Sequence, residues 1–326
     1  MVDFHTPILL ITFNRPDNTR QVLEAILAAR PQELYVFQDG AREGNNSDVK
    51  KCAEVRQVVE SMLKESETCL HTFYSERNLG CGRGPSSAIT WFFENNEQGV
   101  IFEDDCLPSP DFFYYCQELL AKYKEEPSVG FIGGSNYGYE IKGKASYCFG
   151  SGHHQTWGWA SWRRAWNTFE YDLKSFHDKK EFEKVLKQYY KSIRQRDYWL
   201  DVFQKVKHDR MNDSCWDYQF YFGIWRNGML ALCPKVNLVS NVGDDADATH
   251  TSNQNNSMLN RGVGAILPLI HPDVITHNYE IDDYMMRSFI IPYNYGMSGL
   301  KMLPYRINKR IKNLFGHKGP WFKKQK

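Results

Sequence analysis

Several features are missing from this sequence, and each absence narrows the reading. None of the eight cysteines forms a C-x-x-C pair or a zinc-type spacing with another, so reduced, mostly buried thiols of a cytosolic protein are expected rather than a disulfide framework. No segment approaches the roughly 18 apolar residues that span a bilayer. The opening stretch has no basic n-region, and its apolar run from Ile8 ends at Phe13 before Asn14, Arg15 and Pro16, which reads as a first strand and not as a signal peptide. Internal repeats and low-complexity tracts are absent too. From Tyr284 onward there is no carboxylate at all.

That last absence divides the chain. Over 326 residues the formal net charge is +1, yet all 39 Asp and Glu lie before Tyr284 while ten of the 40 Lys and Arg lie after it. An acidic body, expected over residues 1–283, is joined to a basic tail over 284–326. A hydrophobic content of 42% in the whole chain is far from the signature of disorder, so the body is expected to bury a core without staples. Its acidity argues against nucleic acid as a partner.

Within the body, short apolar runs alternate with helical patterns. Pro7–Phe13, Leu34–Gln38, His71–Ser75 and Gly99–Phe102 read as strands. Between them Asn18–Arg30, with Asp17 as expected N-cap, Ser47–Glu65 and Gly84–Asn95 read as helices. Strands alternating with helices imply an α/β fold with a mostly parallel sheet flanked by helices. Asp111–Glu125 reads as a further helix, Val129–Gly134 and Leu230–Cys233 as strands, and 179–210 as a charged helical insertion or lid. In such sheets ligands sit beyond the carboxyl ends of the strands. Three polar clusters fall there: Asn14-Arg15-Pro16-Asp17, Gln38-Asp39-Gly40 and Glu103-Asp104-Asp105.

Glu103, Asp104 and Asp105 crowd three carboxylates at the end of an apolar strand, where alternation puts Glu103 and Asp105 on one side and Asp104 on the other. Such hard oxygen donors suit Mg²⁺ or Mn²⁺, which bind through one or two carboxylates plus substrate phosphates. Helix capping ahead of Pro108–Asp111 is the competing use.

These motifs, in order, resemble a known family. Ile8-Leu-Leu-Ile-Thr-Phe-Asn-Arg-Pro, Val36-Phe-Gln-Asp-Gly, Phe102-Glu-Asp-Asp, Pro110-Asp-Phe-Phe and Trp216-Asp217 look like the GT-A-fold glycosyltransferases, nearest to the inverting N-acetylglucosaminyltransferase I type and its bacterial relatives. The resemblance implies a Rossmann-like GT-A sheet and a nucleotide-diphospho-sugar donor, with UDP expected as the nucleotide. It implies that Arg15 contacts the nucleotide, Asp39 hydrogen-bonds the base, and Glu103 and Asp104 bind the ribose and donor sugar. Asp105 would hold the metal and Asp217 would be the general base. Independently, sugar transfer needs a Lewis acid for the departing diphosphate and a carboxylate for the acceptor proton.

Other candidates keep two readings. Arg83, in Asn78-Leu-Gly-Cys-Gly-Arg-Gly-Pro, could bind phosphate at a helix start or sit in a glycine turn. Gly158, between two tryptophans, could bring backbone near the donor, whereas Trp157, Trp162 and Trp166 suit core packing. His153 and His154 are expected to border the cleft. His250, after Asp244-Asp-Ala-Asp, is either a second metal ligand or a surface-loop residue.

The expected function is therefore a metal-dependent inverting glycosyltransferase acting on a glycan or lipid-linked acceptor hydroxyl. A sugar nucleotidyltransferase and a non-catalytic sugar-binding protein are the rivals. In the tail, residues 299–326 interleave apolar and basic side chains, which suits either a helix on an anionic membrane surface or one packed on the body. The expected location is cytoplasmic, with the first option placing the protein at the inner membrane face.

Overall fold

The computed structural model describes residues 4–153, 156–208, 214–243 and 260–290, so His154, His250 and the tail beyond Ile290 lie outside the described residues. The chain divides between Tyr279 and Glu280. Past that point the described part comprises the rest of helix α9 (Tyr279–Met285) and a π-helical turn, Met286–Ile290.

The first unit is built on an eight-stranded mixed sheet flanked by helices, mostly parallel in its first half, the Rossmann-like arrangement. Strand β1 (Ile8–Thr12) is buried at every residue and pairs in parallel with β2 (Glu33–Gln38) on one side and β4 (Gln98–Glu103) on the other. Strand β3 (Cys69–Tyr74) extends β2 at the edge. Helices α1 (Pro16–Ala28), α2 (Asn46–Leu63) and α3 (Gly80–Asn95) connect these four strands.

Beyond β4 the sheet changes character. Strand β8 (Trp159–Trp162) runs antiparallel between β4 and β6 (Val129–Gly133), and β9 (Leu230–Pro234) and β7 (Tyr147–Gly150) complete the far edge. A separate two-stranded sheet pairs β5 (Cys106–Pro108) with β10 (Val239–Asn241). Helix α4 (Pro110–Lys122) contributes Phe112, Phe113, Leu119 and Leu120 to the main core. The stretch around residues 179–210 is two helices, α6 (Lys179–Tyr189) and α7 (Ile193–His208), after the short α5 (Arg163–Trp166). Both pack on α8 (Asp217–Arg226) through rings that include Phe182, Phe203, Phe222 and Trp225.

Two helix starts differ from expectation for identifiable reasons. Helix α1 begins at Pro16 with Arg15 as N-cap, because proline at the first position needs no N–H partner; Asp17 lies inside the first turn. Helix α3 begins at Gly80, four residues before the reading from propensity, because a distant carboxylate caps it, as described below. Among the described residues all eight cysteines are free thiols, and four of them, Cys52, Cys106, Cys116 and Cys233, are buried. No helix among the described residues is long and apolar enough to cross a membrane.

Of the tryptophans expected in the core, Trp162 and Trp166 are there, at most 4% exposed, whereas Trp157 is only partly buried against it; Trp159 is buried as well. Trp159 is stacked between Phe131 on β6 and Trp216 at the start of α8, with ring centroids 5.1 and 5.6 Å away. Removing that ring leaves a cavity between sheet and helix, so Trp159→Ala is expected to cost about 3–5 kcal/mol in a urea unfolding titration.

Candidate active site at the carboxyl ends of β1, β2 and β4

Strand order identifies the crevice before any side chain is considered. The chain steps outward from β1 to β2 and β3 and then returns to the other side of β1 as β4, so the topological switch point lies between β1 and β4. Arg15 follows β1 and the acidic triplet ends β4. The register pairs Ile11 with Glu103, which brings both segments to the same rim.

Arg15 joins the two. Its Nη1 donates to Asp105 Oδ2 at 3.0 Å and to Asp104 Oδ1 at 3.3 Å. The other Asp104 oxygen accepts the Phe13 N–H at 3.3 Å. Strand β4 ends at Glu103 and residues 104–105 turn, so the expected alternation does not extend to them: Asp104 and Asp105 meet at one Arg15 nitrogen instead of facing opposite sides. Asp105 faces the small sheet: its carbonyl accepts the Val242 N–H at 2.8 Å, and Cys106 Sγ lies 3.5 Å from its Oδ1. A Cβ at Gly243 would lie 2.4 Å from Asp105 Oδ2, so glycine is what allows that backbone to lie against the carboxylate.

The third carboxylate, Glu103, is held well above the usual carboxylate range. Burial is the main cause, followed by the charges of Asp105, Asp104, Cys81 and Asp217. The same causes locate two residues from elsewhere in the chain. Asp217, the first residue of α8, and Cys81, in the first turn of α3, both act electrostatically on Glu103. The Trp216 ring stacked on Trp159 anchors the α8 start beside β8, which is itself hydrogen-bonded to β4. Arg15, Asp104 and Asp105 are thus joined directly at one rim with Glu103 beside them, and Asp217 lies within electrostatic reach of Glu103.

Asp39 has a different task. Its Oδ1 accepts the N–H groups of Gly40 (2.9 Å) and Leu79 (2.8 Å), while Oδ2 accepts Gly80 N–H (2.9 Å) and Asn78 Nδ2 (3.1 Å). Four donors match the roughly four acceptor sites of a carboxylate. Burial pushes its pKa up, and the backbone N–H groups of Leu79, Gly80 and Gly40 pull against that. Asp39 thus clamps the start of α3 onto the end of β2. Arg83 lies in the first turn of that helix with its guanidinium 4.3 Å over the Tyr171 ring.

Gly158 adopts φ +64°, and a Cβ there would lie 2.7 Å from Val239 and 3.2 Å from Phe102. Its conformation and close packing both require glycine, and they hold β10 against the end of β4. His153 does not border a cleft: it is buried, with Nδ1 2.6 Å from Ser151 Oγ and 2.8 Å from Tyr190 OH, under the helical insertion.

One polar group of the rim escaped sequence reasoning. Asp48, in the first turn of α2, accepts Asn14 Nδ2 (2.8 Å) and Arg42 Nε (2.5 Å) and Nη2 (2.8 Å). It ties the β1–α1 connection, which carries Arg15, to the β2–α2 connection. Only the polar Asn45-Asn46-Ser47-Asp48 run at the start of α2 hinted at it.

As to metal, the donor set is hard oxygen in negative surplus, but Arg15 Nη1 is shared by Asp104 and Asp105, and Asp104 also accepts the Phe13 N–H. The set fits a divalent ion that takes Asp105 together with substrate phosphates once Arg15 turns to the phosphate, not a cage of three carboxylates.

No family model matches the chain. No curated protein matches it. Among the solved structures that resemble part of it are the following two. HddC from Yersinia pseudotuberculosis is 8% identical, over 52% of this chain and 84% of its own, with a TM-score of 0.32. The 4-diphosphocytidyl-2C-methyl-D-erythritol synthase from Anaerococcus prevotii is 8% identical, over 51% and 74%, with a TM-score of 0.31. At such scores the reaction has to be argued from the site.

The Asp48 carboxyl is held at about 2, chiefly by its hydrogen bond to Arg42. A lowered folded pKa contributes stability above the ordinary carboxylate value and loses it as pH falls from about 4 to about 2. Because Arg42 is more than half exposed, we expect Asp48→Asn to cost about 1 kcal/mol at pH 7. In urea titrations the gap between variant and parent should narrow below pH 4.

Proposed function

We propose that this chain is an enzyme acting on a nucleotide-diphospho-sugar, and that it transfers the sugar to an acceptor hydroxyl with inversion. The observation that supports the reading is the acidic rim at the switch point, where Arg15 bridges Asp104 and Asp105, with Asp217, from a helix far along the chain, within electrostatic reach of Glu103. A GT-A-type site needs one carboxylate to receive the acceptor proton and a separate group of carboxylates at the donor diphosphate, and this arrangement supports both.

In this reading the acceptor oxygen attacks the anomeric carbon from the face opposite the nucleotide. Asp217 takes the hydroxyl proton as the new C–O bond forms. The bond to the leaving phosphate oxygen breaks, and the nucleoside diphosphate carries away the electron pair. Arg15, already on Asp104 and Asp105, lies where it can pair with that phosphate. Asp105 would hold Mn²⁺ or Mg²⁺, which supplies charge neutralisation for the departing diphosphate when bound. Glu103 and Asp104 are assigned to the ribose and donor sugar, and Arg83 to phosphate. Asp39 serves the donor by fixing the α3 start, and Gly158 by keeping β10 close to β4.

Nucleotidyl transfer on the same sheet is the competing reading, since the synthase from Anaerococcus prevotii carries a diphosphocytidyl product in its name. It would join a nucleoside triphosphate to a sugar phosphate. Here the β1–α1 connection is Phe13-Asn14-Arg15, without a glycine, which offers little backbone to wrap a triphosphate and favours sugar transfer. The acceptor proposed is a glycan or a lipid-linked glycan, and the basic segment 299–326 would hold the protein at an anionic membrane surface.

The test runs two assays on the full chain with Mn²⁺. Incubation with UDP- and GDP-sugars should release the nucleoside diphosphate, whereas pyrophosphate from a nucleoside triphosphate plus a sugar 1-phosphate would establish the competing reaction. Asp217→Asn should lower transfer at least about 1,000-fold, toward the upper end of what a positioned base contributes, while UDP binding by calorimetry stays within a few-fold. Full transfer in that variant would remove Asp217 from the base role.

A further inference from the structure

We infer that Glu33, Cys69 and His71 form a binding site for a borderline-soft divalent cation of the zinc class, at the opposite end of the sheet from the rim just described. In the parallel ladder Glu33 is the partner of Cys69, and Tyr35 is the partner of His71. Strand alternation puts all four side chains on one face, and Glu33 and Cys69 are the first residues of β2 and β3. A sulfur, an imidazole nitrogen and a carboxylate oxygen from two adjacent strands meet with their ligating atoms within 4.8 Å of one another.

The separations are close to what such an ion demands. With metal–sulfur and metal–nitrogen distances of about 2.3 and 2.05 Å, tetrahedral ligands S and N stand about 3.6 Å apart. Cys69 Sγ and His71 Nε2 are 3.5 Å apart. His71 Nε2 and Glu33 Oε2 are 2.6 Å apart, a hydrogen bond. An ion replacing the shared proton would need that pair to open by about 0.7 Å, which side chains more than a third exposed can do. The imidazole is oriented in advance, since its ring stacks on buried Tyr35 at 4.3 Å between centroids and 16° between planes.

The donor set selects the metal. One thiolate and one imidazole disfavour Mg²⁺ and Mn²⁺ and favour Zn²⁺ or its spectroscopic substitute Co²⁺. Cys69 is exposed, so a fourth position opens to water or to a ligand from another molecule. The thiol gives up its proton on binding, so affinity should rise with pH. The spacing search along the chain could not find this site, because its ligands assemble across strands with one of them outside the Cys-x-His pair.

The test is a Co²⁺ titration of the full chain under reducing conditions, followed by near-ultraviolet and visible absorption. One equivalent should produce a thiolate-to-cobalt band with tetrahedral d–d transitions, and Zn²⁺ should bleach it. Cys69→Ser should abolish the thiolate band, and His71→Ala should weaken binding at least about 10-fold. Cys69→Ser leaves Cys106, beside Asp105, in place, so loss of the band in that variant separates this site from the proposed donor site. Absence of the band, or a band unchanged in Cys69→Ser, would overturn the inference and leave Glu33 and His71 as an ion pair only.

Discussion

Strand β8 runs antiparallel between β4 and β6, and its hydrogen bonds to both join the two halves of the sheet. The parallel half, β3-β2-β1-β4, could bind a nucleotide at its switch point by itself, but it carries no catalytic base in this reading. In that reading the base, Asp217, is positioned through β8. Trp159 faces outward from that strand and stacks with Trp216, which ends immediately before Asp217. Gly158, one residue earlier, accepts the Gly134 N–H at 3.0 Å and packs on Val239 of β10. A four-residue strand thus positions both the α8 start and the small sheet against which Asp105 rests.

Gathering carboxylates this closely costs free energy, and the structure shows how the cost is contained. Arg15 bridges two of them, and the backbone of Phe13 satisfies a third oxygen. What remains uncompensated falls on Glu103, whose proton affinity rises as a result. A fold built for stability alone would place an apolar residue there, as it does at every other inward position of β4. Retaining a carboxyl there is intelligible if a cationic or hydrogen-bonding ligand relieves the crowding in use.

Much of the sheet was legible because strands covered on both faces appear as unbroken apolar runs: β1, β4 and β6 are each read directly from Ile8–Ile11, Val100–Phe102 and Val129–Ile132. The triplet was legible for the same reason, as a sharp polar end to an apolar run. Other features were not. Gly80-Cys-Gly-Arg-Gly has poor helix propensity, and its helical start depends on Asp39, some forty residues away in the chain. Trp157–Trp166 has neither a period of two nor one of 3.6, so β8 was hidden inside an aromatic block. The Asn14–Asp48–Arg42 group is held together by tertiary contacts alone.

The same distinction governs how the two ends of β2 relate. Glu33 opens the strand and Gln38 closes it, so the two ends lie about 16 Å apart at roughly 3.3 Å per residue. Between them Leu34, Tyr35, Val36 and Phe37 are buried and paired on both sides, in parallel ladders to β1 and β3. Close-packed interiors resist small local displacements, and sites separated by more than about 10 Å without shared partners behave nearly additively. The cation proposed at the amino end would therefore stiffen the edge strand without altering the carboxyl rim. The ordered ladder that makes the rim precise is also what would insulate it, so the two proposed cations, a hard one at Asp105 after β4 and a softer one at the amino ends of β2 and β3, would act independently.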